Sequence, residues 1–253
     1  EVISIDRENK TVTVKHTDTG DTYKENYDTL VISTGSSPLR PPIPGIELQG
    51  ISAATNLDEA EYIKNALVGK GVSHAVVVGG GFIGLELAVA IGEMWGIPTS
   101  VVEIAPQVLP NFLSPSFARM AQQDLASSGI AVYADEKVLR FEGENGRVNK
   151  VVTNKREIPA ELVIMSAGVH PNTDIAKEAG LNVTEKGLLI VDEYMRTSDP
   201  DIYAGGDCVT IPNQVTGKPG WYPLGSMANR QGRVIGTNIF GGNARFNGAV
   251  GAW

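Results

Sequence analysis

The segment AVVVGGGFIGLELAVAIGEMWG, residues 75–96, constrains the fold more than any other part of the chain. It is the most apolar stretch, yet a run of three glycines and two glutamates interrupt it, whereas a membrane span needs about 20 nearly unbroken apolar residues. A strand over 74–78, a glycine turn, and a helix that begins at Phe82 and ends near Gly96 account for all of these features. The apolar residues of this helix recur at helical spacing: Ile83, Leu87, Ala90, Ile91 and Met94.

The turn has the pattern G-x-G-x-x-G, formed by Gly79, Gly81 and Gly84. The first glycine permits the tight turn, the second leaves room for a pyrophosphate against the backbone, and the third lets the helix pack close to the strand. The N-terminus of the helix offers unpaired N–H groups and a partial positive charge to the phosphates. Because glycine-rich turns are common, a turn that binds nothing is the alternative.

A second apolar run, PTSVVE, ends in Glu103, 24 residues beyond Gly79. This is near the spacing expected for the carboxylate that binds the ribose hydroxyls of the adenosine in a dinucleotide. The same carboxylate would repel a 2′-phosphate, and no Arg or Lys follows in IAPQVLP to accept one. The pattern therefore predicts NADH rather than NADPH, with a solvated glutamate as the alternative.

The bulk composition excludes several classes of function. The chain has 253 residues, of which 42% are hydrophobic, enough for one large domain or two smaller ones. Its 29 acidic residues against 21 Lys and Arg disfavour nucleic acid as a partner. A single cysteine, Cys208, excludes an intramolecular disulfide and suits a cytoplasmic protein. We predict neither a metal site nor a membrane partner.

The rest of the chain reads as short strands, turns and helices around the glycine turn. The first 35 residues resemble β structure, and four prolines between Pro38 and Pro44 indicate a stiff connector and a domain boundary. We predict a helix that begins at Thr55 or Asn56, and a second helix that begins at Pro115 with Ser114 as its N-cap and ends at Gly129. We also predict a hairpin at Asn145-Gly146 and a strand over Ile202 to Ala204. The last predicted helix would face inward with Met227, Val234, Ile235 and Ile239.

Five strings in this order resemble the pyridine nucleotide–disulfide oxidoreductases: YDTLVISTGSSP, VVVGGGFIGLELA, MSAGVHPN, TSDPDIYAGGDC and ANRQGRVIGTNI. The nearest branch is that of NADH oxidase, NADH peroxidase and coenzyme A–disulfide reductase. The resemblance implies an α/β fold with a Rossmann-like NAD-binding domain, residues 53–186, inserted in a partial FAD/NAD(P)-binding-type domain. Residues 1–52 would form the first segment of that partial domain, and residues 187–253 its second segment with the start of a dimerisation domain.

The resemblance also implies a flavoprotein oxidoreductase that passes hydride from NADH to FAD and on to a thiol, disulfide, peroxide or oxygen. The redox-active cysteine of the family is expected upstream of Glu1, so no catalytic residue is predicted within this chain. We expect a fragment without turnover of its own, from an enzyme that is a homodimer when complete. A ferredoxin or rubredoxin reductase of the same fold, or a non-enzymatic NADH-binding sensor, is the alternative.

Further site residues are carried over from the family pattern. On the NAD side they are Phe82, whose ring would cover the flavin, Ile83, Glu86 and Gly168. On the FAD side they are Thr34, Gly35, Gly206 and Asp207, of which Asp207 resembles the residue that hydrogen-bonds the ribityl chain. Core packing for Phe82, a helix-surface role for Glu86 and a turn aspartate for Asp207 are the alternatives, and Cys208 is expected to be a packed residue.

Overall fold

The computed structural model describes residues 1–69 and 71–250. Two units are distinguished by their internal contacts: a middle unit, residues 38–169, and a two-segment unit formed by residues 1–37 and 170–250. The strands are β1 (Val2–Asp6), β2 (Thr11–Lys15), β3 (Thr22–Asn26), β4 (Leu30–Ile32), β5 (Ser36–Pro38), β6 (Ile51–Ser52), β7 (Ala75–Val78), β8 (Thr99–Val102), β9 (Ile130–Tyr133), β10 (Val138–Glu144), β11 (Arg147–Thr153), β12 (Glu157–Pro159), β13 (Leu162–Met165), β14 (Val169–Pro171), β15 (Leu189–Ile190), β16 (Ile202–Ala204), β17 (Val209–Pro212) and β18 (Pro219–Gly220). The helices are α1 (Leu57–Val68), α2 (Phe82–Trp95), α3 (Pro115–Ser127), α4 (Asp174–Glu178) and α5 (Gly225–Ile239).

The middle unit is built on a five-stranded parallel sheet of order β6-β13-β7-β8-β9. Every residue of β7, β8 and β13 is buried, which explains their continuous apolar runs. Successive side chains point to opposite faces, so Ala75 and Val77 of β7 join one hydrophobic cluster, whereas Val76 and Val78 join another. The sheet is therefore covered on both sides.

The two faces of this sheet carry different layers. One cluster is completed by residues of α1, α2 and α3. The other is completed by the antiparallel sheet β10-β11-β12. The β10–β11 turn has positive φ angles at Asn145 (52°) and Gly146 (80°), as a two-residue hairpin requires. The predicted α/β class, parallel sheet and hairpin are confirmed.

Helix α2 begins at Phe82 and is capped at Gly96 as predicted, but its buried face differs from the expected one. The buried residues are Gly84, Ala88 and Ile91, whereas Ile83 and Met94 are 50% and 76% exposed. The smallest residues face the sheet because they allow the helix backbone to lie close to β7. Apolar spacing alone could not show this rotation of the helix.

The two-segment unit joins the two ends of the described chain. Strand β4 pairs in parallel with β16, and both contribute to a core with β15, β17 and α5. This pairing confirms that the segments on either side of the middle unit come together. In α5 the buried residues are Gln231, Ile235 and Asn238, whereas Ile239, expected inward, is 38% exposed. Polar Gln231 and Asn238 are buried because each hydrogen-bonds backbone groups.

The extent of the two units differs from the predicted domain boundaries at 52/53 and 186/187. Residues 38–52 belong to the middle unit because β6 pairs with β13. Residues 170–186 belong to the two-segment unit because Ala176 and Leu181 pack in its core. Residues 251–253 lie outside the described residues, and the assignment of either unit to a cofactor stays a prediction.

Candidate functional site

The glycine turn between β7 and α2 is dictated by close backbone contacts. Gly79 has a φ of +114°, and a Cβ there would lie 2.1 Å from the carbonyl oxygen of Ser166. A Cβ on Gly84 would lie 2.1 Å from the carbonyl oxygen of Gly79. Because neither position tolerates a side chain, the first and third glycines of the pattern are required by the fold itself.

The second glycine of the pattern has a different environment. Gly81 has no atom of the described residues within 4 Å of the place a Cβ would occupy. It is the N-cap of α2 and, as a glycine, makes no side-chain cap hydrogen bond. The N-terminus of α2 therefore has space in front of it and no capping side chain at its N-cap residue, which is the arrangement that binds a phosphate.

Glu103 lies directly after β8 and is only 8% exposed. Its Oε2 accepts a 2.6 Å hydrogen bond from the backbone N–H of Gly80, and its Oε1 accepts a 2.7 Å hydrogen bond from that of Ala105. The carboxylate is thereby fixed beside the glycine turn. Each oxygen retains lone pairs for a further donor, because an ionised carboxylate has about four acceptor positions.

A cavity of about 430 Å³ brings these groups together at the carboxyl ends of β7, β8 and β13. Ligands of open parallel sheets bind at this edge. Of the predicted residues, it is lined by Gly79, Gly81, Glu103 and Gly168. Its walls are mainly apolar, with Ile104, Leu109, Pro110, Phe112 and Val138 among them.

Two charged residues that the sequence did not single out also line the cavity, Glu136 and Lys137. Glu136 is 2% exposed, and its Oε1 accepts hydrogen bonds from Thr153 Oγ1 (2.5 Å) and Arg156 Nε (3.0 Å). The Arg156 guanidinium in turn lies 4.1 Å from the ring centroid of Tyr133. In the sequence, the one sign that Glu136 and Lys137 belong to the site is that they follow a strand. The sequence does not reveal that this strand, β9, lies beside β8.

The first turns of α2 carry the other residues predicted for the NAD side. Phe82 is 41% exposed, and its ring centroid lies 4.7 Å from that of Phe112, which lines the cavity. Ile83 and Glu86 are exposed on the same helix. None of the three lines the cavity itself, so their predicted roles depend on the part of the ligand that would extend along α2.

The two-segment unit contains a separate groove of about 530 Å³ between β4, β16 and α5. It is lined by Gly35, Gly206 and Asp207 of the predicted residues. Ser36 Oγ donates a 2.9 Å hydrogen bond to Asp207 Oδ2, and Trp221 Nε1 donates one of 2.8 Å to its backbone carbonyl. The aspartate is therefore held in place at the groove.

Hydrogen bonds between polar groups fix the loops at this groove. The N–H of Gly206 donates a 2.6 Å hydrogen bond to Oε1 of Gln231, which is 1% exposed. The hydroxyl of Thr34 donates to the carbonyl of Asn172, whose Nδ2 donates back to the Thr34 carbonyl at 3.0 Å. Thr34 does not line the groove, so the structure places it beside the predicted FAD residues rather than among them.

Cys208 follows Asp207 and is fully buried. Burial raises the pKa of its thiol, and Sγ lies 3.3 Å from the carbonyl oxygen of Gly205. A buried thiol with a raised pKa is inert rather than nucleophilic.

The comparisons with known proteins agree with this architecture. Residues 1–232 match the family described as pyridine nucleotide-disulphide oxidoreductase, and the chain belongs to this family. It is 38% identical over 97% of its length to an NADH oxidase of Methanocaldococcus jannaschii, covering 54% of that protein. Among solved structures, an FAD-dependent pyridine nucleotide-disulphide oxidoreductase from Desulfovibrio vulgaris is 54% identical with a TM-score of 0.92 over 100% of this chain and 64% of the other. An NAD-dependent persulfide reductase from A. fulgidus is 42% identical with a TM-score of 0.94 over 100% of this chain and 46% of the other.

The chain thus spans about half the length of the curated relatives it matches. No helix among the described residues is long and apolar enough to span a membrane.

Proposed function

We propose that this chain carries the NADH site and part of the flavin site of an FAD-dependent oxidoreductase. The observation that carries the proposal is the joint presence, in one cavity, of the open backbone at Gly81 and the fixed carboxylate of Glu103. The N-terminus of α2 would bind the pyrophosphate, and Glu103 would accept the adenosine ribose hydroxyls. A buried carboxylate at this place opposes a 2′-phosphate, so NADH is the favoured nucleotide.

The groove in the two-segment unit supports the flavin part of the proposal. Asp207 presents a carboxylate there, and Gly35 and Gly206 provide backbone without side chains. These groups suit the hydroxyls of a ribityl chain, because carboxylates accept hydrogen bonds and glycines allow close approach. Bound flavin supplies the hydride-accepting chemistry, while the residues of this chain hold and orient it.

The remaining predicted residues have positioning roles in this proposal. Phe82, Ile83 and Glu86 would contact the nicotinamide half of the nucleotide along α2, and Gly168 would border it at the cavity edge. Thr34 would hold the loop that carries Gly35. Cys208 has no redox role, because its thiol is buried.

The acceptor of the electrons is a thiol, disulfide or persulfide, a peroxide, or oxygen. The names of the relatives support this range, since they include NADH oxidases and a coenzyme A polysulfide/persulfide reductase. We further propose that the complete enzyme acts in the cytoplasm as a homodimer with a redox-active cysteine outside this chain.

Calorimetric titration of the protein with NADH and NADPH tests the proposal. We expect NADH to bind at one site per chain and NADPH to bind at least roughly tenfold more weakly, because the buried carboxylate opposes the 2′-phosphate. Gly81→Val, which fills the space for the pyrophosphate, should abolish binding of both nucleotides. Absence of NADH binding by the folded protein would refute the proposed site.

A further inference from the structure

The nucleotide cavity holds a second buried carboxylate, Glu136, to which the proposed function assigns no role. It follows β9, which is hydrogen-bonded to β8, and its N–H donates a 2.9 Å hydrogen bond to the Glu103 carbonyl. Neighbouring strands lie about 4.8 Å apart. Glu136 therefore lies one strand farther than Glu103 from the glycine turn at the end of β7.

One oxygen of this carboxylate is available for a ligand. Thr153 and Arg156 both donate to Oε1, and among the described residues none donates to Oε2. The side chain as a whole is only 1% exposed, and Glu136 lines the cavity, which is the side from which a ligand would reach Oε2.

The strand order relates these carboxylates to successive parts of a dinucleotide. With the pyrophosphate at the end of β7 and the ribose at Glu103 after β8, the base continues toward the end of β9. The walls there include Ile104, Pro110 and Val138, which suit a flat aromatic base. The exocyclic amino group is the hydrogen-bond donor on the edge of adenine, and an ionised carboxylate only accepts.

We propose that Oε2 of Glu136 accepts a hydrogen bond from the adenine amino group, which makes Glu136 a residue that selects adenine dinucleotides. Arg156 and Thr153 hold the other oxygen, so the carboxylate is fixed before the ligand binds. This inference rests on the proposed NADH site and adds base recognition to it.

Binding of three oxidised dinucleotides to the unmodified protein tests the inference: NAD⁺, nicotinamide hypoxanthine dinucleotide and nicotinamide 1,N6-ethenoadenine dinucleotide. The first analogue replaces the amino group by an oxygen and the second blocks it. Because a hydrogen bond to a charged group is lost, we expect both analogues to bind at least roughly tenfold more weakly than NAD⁺ by calorimetry. Equal affinity of all three would overturn the role of Glu136 and leave the NADH site intact, whereas failure of all three to bind would overturn the proposed function as well.

The variant Glu136→Gln assigns the preference to this side chain. Its amide can either accept from adenine or donate to the hypoxanthine oxygen, so the preference for adenine over hypoxanthine should fall below about threefold. The matched control is Glu142→Gln, because Glu142 is a half-buried carboxylate that pairs with Arg140 and is not among the residues that line the cavity. A folded Glu136→Gln variant that keeps the full preference would overturn the inference, and if that variant does not fold, the analogue series on the unmodified protein decides it.

Discussion

At the scale of single residues, Glu103 has an observed structural role and a proposed binding role, which must be separated experimentally. It accepts hydrogen bonds from two backbone N–H groups and is proposed to accept two more from the ribose. Removing it would leave Gly80 and Ala105 with unpaired N–H groups, each costing about 1–3 kcal/mol if it stays buried. Loss of nucleotide binding in a Glu103 variant is therefore informative only if its stability is also measured.

We expect Glu103→Gln to weaken NADH binding by roughly tenfold and to narrow the difference between NADH and NADPH, because the charge that opposes the 2′-phosphate is gone. Lys137 in the same cavity would add to this effect by attracting the phosphate. Calorimetric affinities for both nucleotides, with the free energy of unfolding in urea, check it. Glu93→Gln, on the exposed face of α2, is the control, and an unchanged NADH preference in Glu103→Gln would contradict the role of the carboxylate.

A second prediction compares Gly81 and Gly84, because a Cβ on Gly84 would clash with the backbone whereas a Cβ on Gly81 would not. Gly84→Ala should lower the free energy of unfolding by about 1–3 kcal/mol, since its Cβ would meet the Gly79 carbonyl oxygen at 2.1 Å. Gly81→Ala should change the free energy of unfolding by less than about 1 kcal/mol, because its Cβ would meet no described atom within 4 Å and the weaker N-cap preference of alanine is partly offset by its lower unfolded-state entropy, yet it should weaken NADH binding. Urea unfolding and calorimetry on both variants check the contrast. Equal losses of stability would contradict it.

The residue scale also shows what the sequence could predict. The turn at Gly79, the carboxylate at Glu103 and strand β16 from Ile202 to Ala204 were predictable because short sequence patterns indicate them: glycines between an apolar run and a helix, an acid at a fixed spacing from those glycines, and a short apolar run before two glycines. Glu136 was not, because its place in the cavity depends on the pairing of β8 with β9, a long-range contact that no local pattern encodes.

At the scale of elements, the amino ends of β7 and β8 carry a polar cluster at the end of the sheet opposite the proposed nucleotide cavity. His74 Nε2 lies 2.9 Å from Ser100 Oγ, which is 1% exposed, and Glu161 accepts from the backbone N–H of His74. Burial lowers the pKa of His74 below its ordinary value, although the charge of Glu161 opposes this shift. The neutral imidazole is thus the form that the fold accommodates.

This pKa shift predicts that acid destabilises the protein. A folded-state pKa below the unfolded value of about 6.5 means that the unfolded chain binds more protons, so the contribution of His74 to stability is complete above that pH and is lost progressively below it. Urea unfolding between pH 8 and pH 5, followed by circular dichroism, should show this loss. His74→Asn, which retains a polar partner for Ser100, should reduce the slope of the free energy of unfolding against pH. The matched control is His16→Asn, because His16 is an exposed histidine that stacks beside Tyr23. A slope unchanged in His74→Asn would refute the assignment.

Helix α2 shows why elements are easier to predict than their orientation. Its start at Phe82 and its left-handed cap at Gly96 follow from local signals. Which of its faces is buried was not predictable, because nearly all of its residues are apolar and the choice depends on the contact of Gly84 with the preceding turn.

At the scale of the whole molecule, each hydrophobic cluster draws its residues from one unit. Two clusters cover the two faces of the parallel sheet and lie within residues 38–169. The third combines Ile32 with residues from Ala176 to Ala249 and lies in the two-segment unit. The middle unit thus has a core of its own and a length typical of an independently folding domain.

We therefore expect a polypeptide of residues 38–169 to fold alone and to bind NADH with an affinity within about threefold of that of the whole chain. Every described residue that lines its cavity lies inside this range. Circular dichroism and calorimetry on the isolated unit check both parts. Gly81→Val in the isolated unit is the control for specific binding.

In the whole chain, Ile202→Ala creates a cavity of several methyl groups in the two-segment core. It should lower the free energy of unfolding by about 2–5 kcal/mol and leave the affinity for NADH unchanged. An isolated unit that is unfolded, or an Ile202→Ala chain that no longer binds NADH, would show that the two units depend on each other for stability.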